Sequence, residues 1–183
     1  MTTIPSSKRT LRRRSLATIS VAALAAICIP PVIRGPTIML WNASASVPEG
    51  LYMVQPSAPL HVGDLAVSTL PDGAQRLAAD RQYLPDNVLL IKPVAATSGS
   101  EICRHGLELL VDGVRVGDAR PDDRRHRPMP DWQGCRAVTS SEIFLMNPAV
   151  PDSFDGRYFG PIPRGLVKGR AFPLLTFAPS PRN

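Results

Sequence analysis

Histidine is scarce and scattered. There are three in the chain, and no HExxH spacing appears. The three cysteines form no CxxC pair. A zinc site needs such ligand spacings, so neither a metal nor any other cofactor is expected. No internal repeat and no helix-turn-helix pattern is visible. The basic excess is formally +6, but Lys8, Arg9, Arg12, Arg13 and Arg14 supply most of it in one N-terminal cluster. The remainder is near neutral, so the charge argues against nucleic acid as a partner. A second cluster, Arg120, Arg124, Arg125, His126 and Arg127, is diluted by Asp122, Asp123 and prolines. It reads as a solvated loop.

Long apolar runs are also few. Beyond the basic cluster, Leu16 to Ile33 (LATISVAALAAICIPPVI) carries no charge over about 18 residues, near the minimum for spanning a bilayer. Positive charge before it places the N-terminus in the cytoplasm and the body outside. A cleaved signal peptide and a retained signal anchor both fit this pattern. Pro30, Pro31 and the closing Arg34 favour the anchor. The expected organisation is a basic cytoplasmic segment 1–15, a transmembrane helix 16–34 and an exported domain 35–183. Cys28 lies within the run. Cys103 and Cys135 are the two cysteines of the exported part, and in an oxidising compartment such a pair is expected to form a disulfide. Closing a loop of about 30 residues adds roughly 3 kcal/mol.

Proline is plentiful: 20 of 183 residues, against roughly 9 at average usage. Proline interrupts helices and central strands, so short strands and many turns are expected. Strand-like runs lie at Gly50–Val54, Asp64–Ser68, Val88–Lys92, Glu142–Met146 and Leu166–Ala171. Leu107 to Val116 reads as a hairpin around Asp112-Gly113, a pair suited to the positive φ angles of a two-residue turn. One short helix is expected around Gln75–Ala79. The fold class is mainly β, antiparallel.

Three segments carry chemistry. Asn42-Ala-Ser-Ala-Ser-Val-Pro-Glu-Gly-Leu-Tyr52 places hydroxyls among small residues just after the apolar run. Asn87-Val-Leu-Leu-Ile-Lys92-Pro embeds a lysine in an apolar strand. Such a lysine either snorkels to water or is buried. Burial disfavours the ammonium, and the freed amine is then able to take a proton from a hydroxyl. The third segment, Asp152-Ser-Phe-Asp-Gly-Arg-Tyr-Phe-Gly160, is dense in polar and aromatic groups and precedes a strand.

Taken in order, these segments resemble the type I signal peptidases, which use a Ser/Lys dyad. Ser-x-Ser-Val follows the anchor, then come Gly63-Asp64, the lysine strand, Asp-x-Arg-Tyr-Phe-Gly and a trailing Gly169-Arg-Ala. The first segment and the short length are similar to the TraF-type conjugative transfer branch, small enzymes that process pilin precursors. The paired cysteines fit that branch. The resemblance implies a signal-peptidase-like antiparallel β domain behind an N-terminal transmembrane helix. It implies Ser46 as nucleophile and Lys92 as general base. Ser44 becomes an oxyanion donor, Ser153 the hydroxyl orienting the amine, and Asp155 with Arg157 a structural ion pair. The expected substrate is a membrane-inserted precursor, pilin or signal-peptide-bearing. The expected location is a bacterial inner membrane, with the catalytic domain on the periplasmic side against the lipid bilayer. Three features depart from the family pattern. Gly156 stands where many relatives have serine, Pro93 where housekeeping enzymes carry arginine, and Thr97-Ser98-Gly99-Ser100 where they have Leu-Pro-Gly-Asp. The rival readings are a general signal peptidase I and a non-enzymatic anchored β domain in pilus assembly.

Overall fold

The computed structural model describes residues 39–56, 58–85 and 88–177. The expected anchor, residues 16–34, lies outside the described residues. Among those described, no helix is long and apolar enough to cross a membrane.

Among the described residues, eleven strands form two antiparallel sheets. β1 (Met39–Asn42), β2 (Glu49–Gln55), β3 (Leu65–Ser68), β4 (Leu90–Ala96), β9 (Glu142–Leu145), β10 (Ile162–Pro163) and β11 (Val167–Phe177) make a seven-stranded sheet in the order β1-β2-β11-β3-β4-β9-β10. β5 (Glu101–His105), β6 (Glu108–Val111), β7 (Val114–Asp118) and β8 (Gly134–Ala137) make a smaller one in the order β7-β6-β5-β8. Helix α1 (Asp72–Asp80) brackets the expected helical segment, and a single turn, α2 (Gly156–Phe159), opens the last motif.

The mainly β reading thus holds, and the sequence pattern explains why. In β2, Gly50, Tyr52 and Val54 are buried while their neighbours are half-exposed, the alternation a one-faced strand requires. Gly50 sits at φ 143°, and a Cβ there would lie 2.1 Å from the Leu175 carbonyl oxygen. Glycine is what lets β2 approach the bulge of β11. Asp112 (φ 49°) and Gly113 (φ 76°) turn the β6–β7 hairpin as expected. Besides Pro163 at the end of β10, two prolines lie in strand interiors, which the general rule disfavours. Both sit at irregularities. Pro173 precedes the β11 shift against β2, and Pro93 precedes the β4 shift against β9. A missing N–H costs least where the ladder is already broken. β4 therefore runs on past Lys92 to Ala96 instead of stopping at Pro93.

Apolar packing divides into adjoining clusters. Val47, Tyr52, Val54, Val67, Ile91 and Ala171 pack beneath the β1–β2 turn. Ala96, Ile102, Leu109, Val138, Phe144 and Met146 join the small sheet to the large one. Cys103 and Cys135 face each other across β5 and β8 and form the expected disulfide.

Candidate functional site

Ser46 sits in the turn between β1 and β2. Asn42, the last residue of β1, holds that turn from inside. Its Nδ2 donates to the carbonyls of Ser44 at 2.8 Å, Pro48 at 3.1 Å and Val47 at 3.2 Å. Its Oδ1 accepts from the Ser44 N–H at 3.1 Å and the Ser44 hydroxyl at 2.9 Å. Three carbonyls on one side fix the amide's orientation, because an oxygen placed there would face three others. The Ser44 proton is thereby committed to Asn42. The Ser44 and Ser46 hydroxyl oxygens are 3.0 Å apart. The proton between them therefore comes from Ser46, which donates to Ser44.

Lys92 lies in β4 opposite Ala66 of β3. It is 5% exposed, so it is buried and does not snorkel. Its Nζ donates to Ser153 Oγ at 2.6 Å. Burial pulls the amine down from 10.5 to about 8; Asp155 and Asp152 draw it up and Arg157 pushes it further down. Near pH 8 a large fraction of Lys92 is neutral. Ser46 and Lys92 line one cavity of about 360 Å³. No hydrogen bond joins the two among the described residues; each hydroxyl or amine is instead paired to a second serine.

Asp155 and Arg157 form the expected ion pair at 2.8 Å, both fully buried. All five guanidinium N–H groups are used. Nε and one Nη2 hydrogen go to Asp155, and the other goes to the Asn147 carbonyl. Nη1 serves the carbonyls of Asp118 and Pro151. Asp155 also caps α2 by accepting the Arg157 N–H, and it accepts the Asn147 N–H at 3.0 Å. Asn147 Nδ2 in turn donates to the Ser46 carbonyl. The ion pair is thus tied to the serine turn through one asparagine. Gly156 has a steric reason: a Cβ would stand 2.6 Å from the Phe144 ring and 2.7 Å from the Leu145 carbonyl. A serine here requires that ring to move.

Asn42, Asn147 and Arg104 were not singled out from the sequence. Arg104 is 2% exposed and donates to the carbonyls of Arg157, Gly106 and Pro130, fastening the small sheet to the last motif. Only Asn147-Pro148 at a strand end carried a signal, that of a turn whose side chain bonds backbone. The Arg120–Asp131 segment is a loop as expected, but its side chains are not simply solvated. Asp123 accepts from Tyr83 at 2.5 Å and from Arg127 Nε at 2.7 Å, and Arg81 donates to the Pro128 carbonyl at 2.8 Å. Several of its residues line the cavity that holds Ser46 and Lys92.

Known proteins are similar to this chain. The model of the family "Signal peptidase, peptidase S26" matches residues 11–175. A plasmid transfer protein TraF of Escherichia coli is 32% identical over 143 residues, 78% of each chain. A probable conjugal transfer protein TraF of Sinorhizobium fredii is 36% identical over 148 residues, 75% of this chain and 77% of the relative. A signal peptidase I of Enterococcus faecalis V583 superposes with a TM-score of 0.37 at 14% identity, over 62% of this chain and 97% of that one. The family match spans the serine turn, the lysine strand and the buried ion pair alike, and the chain belongs to the S26 signal peptidase family, in its TraF-type branch.

Proposed function

We propose that this chain is a membrane-anchored serine endopeptidase that processes exported precursors, with pilin subunits of a conjugation system as its substrates. The observation that carries the reading is the Lys92 amine. It is buried, held near pH 8 in its titration, aimed by Ser153, and placed in the same cavity as the Ser46 hydroxyl. Family membership supports a peptidase, and the names of the TraF relatives supply the setting of plasmid transfer.

In this mechanism, precursor entry turns the Ser46 hydroxyl from Ser44 toward Lys92. Ser46 Oγ attacks the scissile carbonyl carbon, and its proton passes to Lys92 Nζ. The oxyanion is met by backbone N–H and by the Ser44 hydroxyl once it leaves Asn42, each donor worth about 3 kcal/mol. Lys92 returns its proton to the leaving amine, and the C–N bond breaks. Water, deprotonated by Lys92, then releases the acyl group from Ser46. If the precursor's own N-terminus attacks the ester instead, the product is cyclic.

The anchor confines the enzyme to the surface where inserted precursors concentrate, on the periplasmic face of the inner membrane. An extended chain of about 13 residues from Ile33 to Ser46 reaches at most about 45 Å. Met39 and Trp41 of β1 and Leu175 and Phe177 of β11 are exposed apolar side chains, and the Trp41 and Phe177 rings lie 6.4 Å apart. Such a patch supports a seat against the bilayer. Val54 faces the core instead, and Leu51 and Met53 are half-buried.

The test is to incubate membranes carrying wild type, Ser46→Ala or Lys92→Ala with a candidate pilin precursor and read the products by mass spectrometry. Processing by wild type alone is expected. Undiminished processing by either variant removes that residue from the mechanism. A product one water lighter than the cleaved chain identifies cyclisation.

A further inference from the structure

Within the peptidase reading, we propose that Arg120 and Arg125 form a binding site for an acidic residue of the precursor, close to the scissile bond. The loop from Arg120 to Asp131 forms one wall of the cavity that holds Ser46 and Lys92. It is a built wall. Asp123 gathers the Arg125 and Arg127 N–H groups, the Arg127 guanidinium and the Tyr83 hydroxyl, and the Met129 N–H closes on the Pro121 carbonyl at 2.8 Å. Arg127 also stacks on the Tyr83 ring at 5.6 Å.

Five arginines and three aspartates line this cavity besides Lys92. Asp123 is taken by Arg127 and Arg81, and Asp152 by Arg124. Arg120 and Arg125 are both exposed, and among the described residues their guanidinium groups have no carboxylate partner. The remaining lining acid, Asp122, is outnumbered by these two cations. An excess of one sign on a concave surface raises the local concentration of the opposite charge. A carboxylate is the matching group, since guanidinium takes it in two parallel hydrogen bonds. A cavity of about 360 Å³ holds only a few side chains. The acidic residue it takes therefore lies within a few positions of the cut.

The test uses the solubilised full chain and fluorogenic peptides with amidated C-termini. A single Glu, or Gln at the same place, is moved through the residues flanking the cut. Wild type is expected to cleave the Glu peptide about five- to tenfold better in kcat/KM than its Gln partner at one position. That preference shrinks as salt rises from about 0.05 to about 0.5 M. In Arg120→Gln/Arg125→Gln the ratio falls to about one, and Arg120→Lys/Arg125→Lys restores part of it. A wild-type ratio near one at every position, with cleavage present, overturns the site and leaves the peptidase reading standing. An equal loss on Glu and Gln peptides in the double variant also overturns it. Cleavage of no peptide by wild type, or cleavage that persists in Ser46→Ala, sinks the peptidase reading and the site with it.

Discussion

Two buried cations, Arg157 and Lys92, both feel the charge of Asp155 and are treated in opposite ways. Arg157 has a carboxylate and three backbone carbonyls for its five N–H groups. Lys92 has one hydroxyl partner among the described residues for an ammonium that offers three protons. A buried charge with matched acceptors is kept as a charge, and one left short of them gives up its proton more easily. In the proposed mechanism the Asp155–Arg157 pair is therefore scaffold, and Lys92 is the reactive group.

Lys92→Met tests this contrast most severely. Cleavage of a precursor is expected to fall by at least about ten-thousandfold in kcat. The fold is expected to gain, not lose. The unfolded chain holds the lysine proton up to about 10.5 and the folded one only to about 8. Wild type therefore carries the full burial cost below pH 8 and sheds it as pH rises from about 8 to 10.5. Allowing about 1 kcal/mol for the Ser153 hydroxyl left alone, the variant should be more stable by about 2 kcal/mol at pH 7. Denaturant titrations should show that gap closing toward pH 10.5. Arg157→Gln should do the reverse, lowering unfolding free energy by about 3–5 kcal/mol by stranding Asp155. Adding Asp155→Asn should recover part of the loss; an additive double variant would break the comparison. Asn42→Ala touches the reactive region without touching its charge. A loss of about 2 kcal/mol is expected, seen as roughly a thirtyfold fall in kcat with KM little changed. Least in size, kcat/KM of wild type should rise about tenfold per pH unit and level off near pH 8 as Lys92 loses its proton. A limb near 10 would mean that Lys92 is solvated in the working enzyme.

The legible parts of this molecule were those where pattern and packing agree. The apolar run Gly50–Val54, the Asp112-Gly113 turn and the apolar run into Lys92 each predicted a backbone element that the structure has. The pairs Lys92–Ser153 and Asp155–Arg157 came from family resemblance, and the structure brings each within bonding distance; Ser46 and Lys92 share a cavity, but no hydrogen bond joins them among the described residues. What stayed hidden was polar but buried. β5 was not foreseen because Arg104 looks like a solvent-facing residue, yet its guanidinium points inward to three carbonyls. Asn42 and Asn147 act on backbone atoms distant in sequence or masked by a turn, and periodicity carries no trace of that. The Arg120–Asp131 loop looked hydrophilic because its side chains are charged, although many of those charges meet one another.

In the proposed mechanism, the position of β11 bears on when the reactive groups first come together. Residues 167–177 lie between β2, which carries the serine turn, and β3, which pairs with the lysine strand. The serine and the lysine leave the ribosome before the strand that lies between β2 and β3. If Ser46 and Lys92 act as proposed, a nascent chain holds both reagents before the strand between their partner strands exists, and assembly itself gates their chemistry.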